Sequence, residues 1–256
     1  AAAAACVPGA TRASLDAAAM GVIAAFRAEP LFLHHRIDVD GIPFPATTCI
    51  SVNEEIVHGL PGPRRLLPGD LVSIDCGVRL RGWCADAAIT IPVGGMAAID
   101  AERRAMIDDA EAMLVDAIGA MAPGVAWSSI AERMERTARD KGYGIVTAYM
   151  GHGIGRNLHE APAVPNMLMP GWRERHDFTL MPGMTLAIEP MLVLGGCDHD
   201  TEGVRTQTLE DGWTVAVASG RPACHVEHTV ATTRSGAKVL TGPLSPSVRE
   251  EAASIR

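Results

Sequence analysis

The chain of 256 residues contains no uninterrupted apolar run of about 18 residues, the length a membrane-spanning helix requires. Positive charge is scarce. The 22 Lys and Arg are outnumbered by 30 Asp and Glu, and the net charge of −8 argues against a nucleic-acid-binding surface. The five opening alanines carry no Lys/Arg head and do not read as a secretory signal. The six cysteines (Cys6, Cys49, Cys76, Cys84, Cys197, Cys224) show no CxxC spacing. Several lie in apolar strand-like runs, which reads as reduced thiols in a cytoplasmic protein. Several chemistries lack their motif. Gly151, Gly153, Gly155 and Arg156 do not compose GxGxxG, and neither GxxxxGK[ST] nor GxSxG occurs. His159-Glu160 begins an HExxH string, but Ala163 stands where the second histidine is needed. Aromatics make up only 4%, yet 48% hydrophobic content suffices for one large domain or two closely packed halves.

The most informative stretch runs from Gly69 to Gly94. Val72, Ile74, Cys76 and Val78 alternate with Ser73, Asp75 and Gly77, and Ala85, Ala87, Ile89 and Ile91 alternate with Cys84, Asp86, Ala88 and Thr90. Each run predicts a strand with one apolar face and an aspartate on the other. A turn centred on Leu80 and Arg81 sets Ile74 opposite Ala87, Val72 opposite Ile89, and Asp75 opposite Asp86; a slip of two residues preserves the faces. Facing carboxylates repel by roughly 0.2–1 kcal/mol. Oxygen-rich strands with few basic neighbours therefore suggest a divalent metal.

Residues 6–27 predict a helix after a Pro-Gly turn, with Leu15, Ala19, Val22, Ile23 and Phe26 on one face. Residues 121–142 repeat the pattern: Pro8-Gly9 matches Pro123-Gly124, and Ser14-Leu15 matches Ser129-Ile130. Ser129 with Glu132 reads as a capping box. Before that second copy, Asp100 to Met121 predicts a long helix with a stripe of Met106, Ala110, Met113, Leu114, Ile118 and Met121. Only Ala1 to Ala5 hold that place in the first copy, so the N-terminal helix is expected to be incomplete. LLPGDLVSID (Leu66–Asp75) and LMPGMTLAIE (Leu180–Glu189) continue the correspondence, each ending in an acid. A single catalytic domain, 1–256, is expected, with half-repeats at about 1–96 and 97–240 and both acids converging on a pseudo-twofold axis.

Asp75, Asp86, His152, Glu189 and Glu227 form a scattered set of hard and borderline ligands. Carboxylates can bridge two ions about 3.5–4 Å apart that activate a water for hydrolysis. Calcium would seldom recruit an imidazole, so His152 tilts the choice toward Mn, Fe, Co or Zn. Taken alone, His58 reads as a turn histidine and Gly151-His152-Gly153 also fits a plain loop. His34-His35, His176-Asp177 and His199 are assigned to the surface.

SVNEEIVHG, SIDCGVRLRGWCAD, GHGIGRNLHEAP, TLAIEPM and HVEHT, in that order and spacing, resemble the type I methionine aminopeptidases of metallopeptidase family M24, from about Cys49 onward. The resemblance implies an α+β pita-bread fold, two pseudo-symmetric halves with a central curved antiparallel sheet backed by helices. It implies two divalent metal ions on Asp75, Asp86, His152, Glu189 and Glu227, with Asp86 and Glu227 bridging. Glu189 would accept and return the proton, and His159 and His58 would hydrogen-bond the scissile amide. The substrate's free α-amine would bind one metal. Cys49, Phe44, Leu158 and Trp213 match positions that line the methionine pocket. The implied partners are nascent polypeptide N-termini at the ribosome, met by a cytoplasmic monomer that binds neither nucleic acid nor membrane. The sequence departs from the pattern at residues 31–48, which run longer than usual, at Leu158, where an aromatic is common, and at His225, where glutamine is frequent. Two other readings share the scaffold: an X-Pro aminopeptidase or prolidase, and a metal-free binding protein.

Overall fold

The computed structural model describes residues 1–36, 39, 41–195 and 203–242. Cys197 and His199 lie outside the described residues. None of the helices it describes is long and apolar enough to cross a membrane.

Three helices back the sheets. Arg12–Ala25 starts at a capping box in which Thr11 and Ser14 exchange side-chain and backbone bonds of 3.1 Å. It buries Leu15, Ala19 and Ile23. Val22 and Phe26, expected on that face, are 45% and 69% exposed. A single i, i+4 ridge suffices to cover a small sheet, and Phe26 already sits at the C-cap. Ala101–Ala120 is capped by Asp100, which accepts from Arg103 N at 2.8 Å, and buries the whole stripe expected of it. Trp127–Lys141 does not use the expected Ser129–Glu132 box. Ser129 Oγ donates to Ala126 O, and Glu132 pairs with Arg173 instead. Asp177 caps this helix from a distant segment, accepting Ser128 N at 3.0 Å and Ser128 Oγ at 2.6 Å.

The named strands form five small sheets whose pairings are antiparallel, the pieces of the curved antiparallel sheet expected. Leu71–Asp75 runs between Cys49–Val52 and Ala88–Pro92. Thr185–Ile188 runs between Gly151–Gly153 and His228–Thr233. The corresponding Pro-Gly turns lock in the same way. Gly9 N donates to Leu66 O and Leu66 N to Ala10 O; Gly124 N donates to Leu180 O and Leu180 N to Val125 O, at 2.8–2.9 Å. Most of the core lies against the two longer helices, where Met106, Trp127 and Ile130 meet Leu186, Ile188 and Leu192. A smaller cluster packs Leu15 and Leu66 against Ile50, Val72 and Ile74.

The register of the aspartate strands differs from the expected one by two residues: Asp75 pairs with Ala88, Ile74 with Ile89 and Val72 with Ile91. The cause is the turn. It centres on Arg81 and Gly82, at φ 53° and 79°, joining Val78–Leu80 to Trp83–Ala85, because a tight hairpin turn needs left-handed backbone and glycine supplies it best. An even slip leaves Asp75 and Asp86 on one face. Gly151-His152-Gly153 is a strand and no loop. A Cβ at Gly151 would come within 2.3 Å of Ala187 O, and one at Gly153 within 2.3 Å of Ala161 O, so both glycines let neighbouring backbone close in.

Candidate metal centre

The two strand systems meet at a seam. Glu227 N donates to Ala88 O at 2.8 Å, Asp86 N donates to Thr229 Oγ1 at 2.9 Å, and Thr229 Oγ1 donates to Asp86 O at 2.8 Å. This bonding draws the ends of Leu71–Asp75, Thr185–Ile188 and His228–Thr233 around a cavity of about 430 Å3. All eleven residues singled out in the sequence line it: Asp75, Asp86, His152, Glu189, Glu227, His58, His159, Cys49, Phe44, Leu158 and Trp213.

Ligand atoms of Asp86, His152 and Glu227 lie within 4.8 Å of one another. His152 Nδ1 donates to Gly153 O at 2.8 Å, which leaves Nε2 as the free ring nitrogen, 3.8 Å from Glu189 Oε1. Burial and the neighbouring carboxylates, Asp86 foremost, push Asp75 and Glu227 well above the ordinary carboxylate range. Burial and Glu189 raise Asp86 to about 6. Glu189 goes the other way. Its burial also raises it, but His225, with Nε2 at 3.4 Å from Oε2, together with His152 and His58, outweighs that and holds it below its ordinary value.

These residues fit a divalent ion. Asp75 Oδ1 and Glu227 Oε1 are buried without a hydrogen-bond partner, and no Lys or Arg is among the residues lining the cavity. Carboxylate oxygens crowded together and unmatched by Lys or Arg call for a cation, and an imidazole beside them suits a divalent metal.

Two more histidines face the cavity. His58 follows strand Glu55–Val57 with φ 59°, a left-handed conformation uncommon for a non-glycine residue. Its ring meets Tyr149 and Trp213 edge-on at 5.1 and 6.2 Å, and burial lowers it to about 4. His159 stands at the rim with part of its surface in solvent. Desolvation of its ring, with His152 at 4.5 Å and His35 at 5.5 Å, brings it to about 4 as well. Both imidazoles are therefore neutral at pH 7, each with one N–H to donate.

Cys49, Phe44, Leu158 and Trp213 belong to one apolar cluster with Phe32. Phe44 packs edge-on to Trp213 at 5.1 Å, and Trp213 Nε1 donates to Ile42 O at 3.0 Å. Asp211 steadies this wall by accepting from Trp213 N and Thr214 N. Burial, then Asp75, pushes the Cys49 thiol well above its ordinary value, so it serves as an apolar surface.

The cavity also gathers residues that the sequence did not single out as site residues. His35, expected on the surface, lines it, because His35 N bonds Phe32 O and Phe44 N bonds His35 O, folding the segment back. No periodicity marks that fold. His225 is 2% exposed and pinned by Thr90 Oγ1 through its own N at 3.0 Å and O at 2.8 Å. Its signal was present: it stands two residues from Glu227 and so can share its side of the chain. Tyr149 and Met150 complete the wall.

Residues 1–234 match the description metallopeptidase family M24. The methionine aminopeptidase of Treponema pallidum is 43% identical over 211 residues, which is 80% of this chain and 78% of that protein. The crystal structure of methionine aminopeptidase from Thermotoga maritima superposes with a TM-score of 0.81 at 34% identity, covering 94% of this chain and 89% of that one. The prolidase of Pyrococcus furiosus superposes with a TM-score of 0.68 at 22% identity, over 94% of this chain and 60% of that one, a likeness of fold alone. The fold is thus the α+β pita-bread arrangement, and the chain belongs to metallopeptidase family M24.

Proposed function

We propose that this chain is a methionine aminopeptidase, releasing N-terminal methionine from new polypeptides whose second residue is small. The observation that carries this reading is the junction of a carboxylate-rich centre with an apolar pocket in a single cavity. Two divalent ions held by Asp75, Asp86, His152, Glu189 and Glu227 would supply Lewis acidity and a water acidic enough to react at neutral pH. The chain's own residues do the rest. Glu189, kept ionised by His225, accepts the water's proton and returns it to the leaving amine. His58 and His159, neutral donors on the cavity wall, direct N–H groups at the scissile amide and the oxyanion. Phe44, Cys49, Leu158 and Trp213 take the flexible thioether side chain. We read the molecule as one catalytic domain of two half-repeats, 1–96 and 97–240, a reading supported by the twin Pro-Gly contacts. We place it in the cytoplasm, as a monomer meeting nascent chains at the ribosome; its free described cysteines support that compartment.

The test is release of methionine from Met-Ala and Met-Gly peptides by the protein reconstituted with Mn, Fe, Co or Zn, beside Xaa-Pro substrates. Met-Ala cleavage that depends on the metal is expected. Preference for the bond before proline would give the reaction to the X-Pro class, and no metal uptake at all would leave a binding protein on this scaffold.

A further inference from the structure

We propose that Trp83 and Arg156 form a clasp that positions His159, an inference that rests on the aminopeptidase reading. The hairpin Val78–Leu80/Trp83–Ala85 projects beyond the two metal-facing aspartates and reaches across to the segment Gly155–Glu160. It holds that segment at four points. Cys84 N donates to Gly155 O at 2.8 Å, Arg156 Nη1 donates to Gly82 O at 2.9 Å, Cys84 Sγ donates to Arg156 O at 3.4 Å, and the Arg156 guanidinium lies 3.7 Å above the centre of the Trp83 ring. The segment is braced from within as well, by Asn157 N to Glu160 Oε1 at 2.8 Å and Gly155 N to Asn157 O at 3.1 Å.

These bonds matter because the segment they hold carries His159 between Leu158, packed in the apolar cluster, and Glu160, paired with Gly153. His159 stands at the cavity rim and touches neighbours through ring edges, His152 and His35. The clasp therefore sets the height of His159 over the metal-facing carboxylates, since one hairpin carries Asp75 and Asp86 at its root and the grip on Arg156 near its tip. A cation stacked on an indole is directional enough to serve. Trp83 is 58% exposed, so removing its ring takes little from the core. A group displaced from its reacting geometry loses rate although its own chemistry is intact.

The experiment is a double-mutant cycle on the metal-loaded enzyme. Trp83→Ala and Arg156→Gln should each lower kcat for Met-Ala release by about tenfold, change KM by less than about twofold, and leave metal content unaltered. Trp83→Phe, which keeps a ring under the guanidinium, should restore most of the rate. In a His159→Ala background neither change should lower kcat further. Equal losses with and without His159 overturn the clasp, as does wild-type kcat in both variants. A KM effect confined to peptides longer than two residues also overturns it, and would make the cleft between Trp83, Arg156 and Glu160 a substrate subsite. Failure of the unmodified enzyme on Met-Ala would instead sink the underlying reading.

Discussion

Asp75 and Glu189 occupy the same kind of place: Asp75 ends and Glu189 directly follows a strand that comes after Leu-x-Pro-Gly, and each faces the shared cavity. Their surroundings differ in sign. Asp75 is buried with Asp86 and Glu189 beside it and no Lys or Arg in the cavity lining, so its carboxyl is driven up, and one oxygen is left without a partner. Glu189 lies between His152 at 3.8 Å and His225 at 3.4 Å, and its carboxyl is drawn down. One backbone slot thus yields a carboxyl pushed toward its neutral form and a carboxyl kept ionised. Neighbours brought by other segments make the distinction, while the strands themselves are alike.

The largest break of this comparison is Glu189→Gln, which removes the proton carrier while keeping its shape. Met-Ala release should fall by at least about a thousandfold, roughly 4 kcal/mol of transition-state stabilisation. Activity near wild type would remove Glu189 from the mechanism. A smaller effect is expected from His225→Ala, which leaves the cavity carboxylates intact and takes away the imidazole 3.4 Å from Glu189. A loss of kcat of about tenfold, with metal content retained, should appear in steady-state assays paired with elemental analysis. An unchanged kcat would show that His152 and His58 suffice to hold Glu189.

The smallest effect sharpens the aspartate side. Asp86→Asn removes a like charge from the cluster, so the metal-free variant should melt no lower than the metal-free parent, while the rise in Tm on adding metal disappears. In the parent, that metal-induced rise should weaken as pH falls through about 6, where Asp86 takes up its proton, and persist above it. The sign follows from a raised carboxyl: proton and cation compete for the same oxygens, and protons win at low pH. Thermal melts across pH, with and without metal, measure both outcomes. A metal effect independent of pH would mean that Asp86 is not one of the holding groups.

Much of this site was legible in the sequence because its residues sit in strongly patterned segments. Asp75 interrupts an alternating strand, Glu189 repeats it after the same Pro-Gly turn, and the stripe of helix Ala101–Ala120 obeys its period throughout. Misreadings arose where contact with distant chain replaced local preference. The turn at Arg81–Gly82 moved the register by two, Asp177 took over a cap assigned to Ser129 and Glu132, and Phe26 was left outside a stripe its spacing favoured. His35 entered the cavity through two backbone bonds that no pattern in its own segment announces.

The sequence by itself determined which groups could ligate, where strands and helices lie, and that the acids come as counterparts, since alternation, turn chemistry and residue type are local properties. Only the tertiary structure decided what each acid meets. Burial depth, the approach of His225 to Glu189, the orphaned oxygen of Asp75 and the grip of Trp83 on Arg156 all depend on segments far apart in the chain. Electrostatic energy depends on distance and desolvation, and both exist only once those segments have packed.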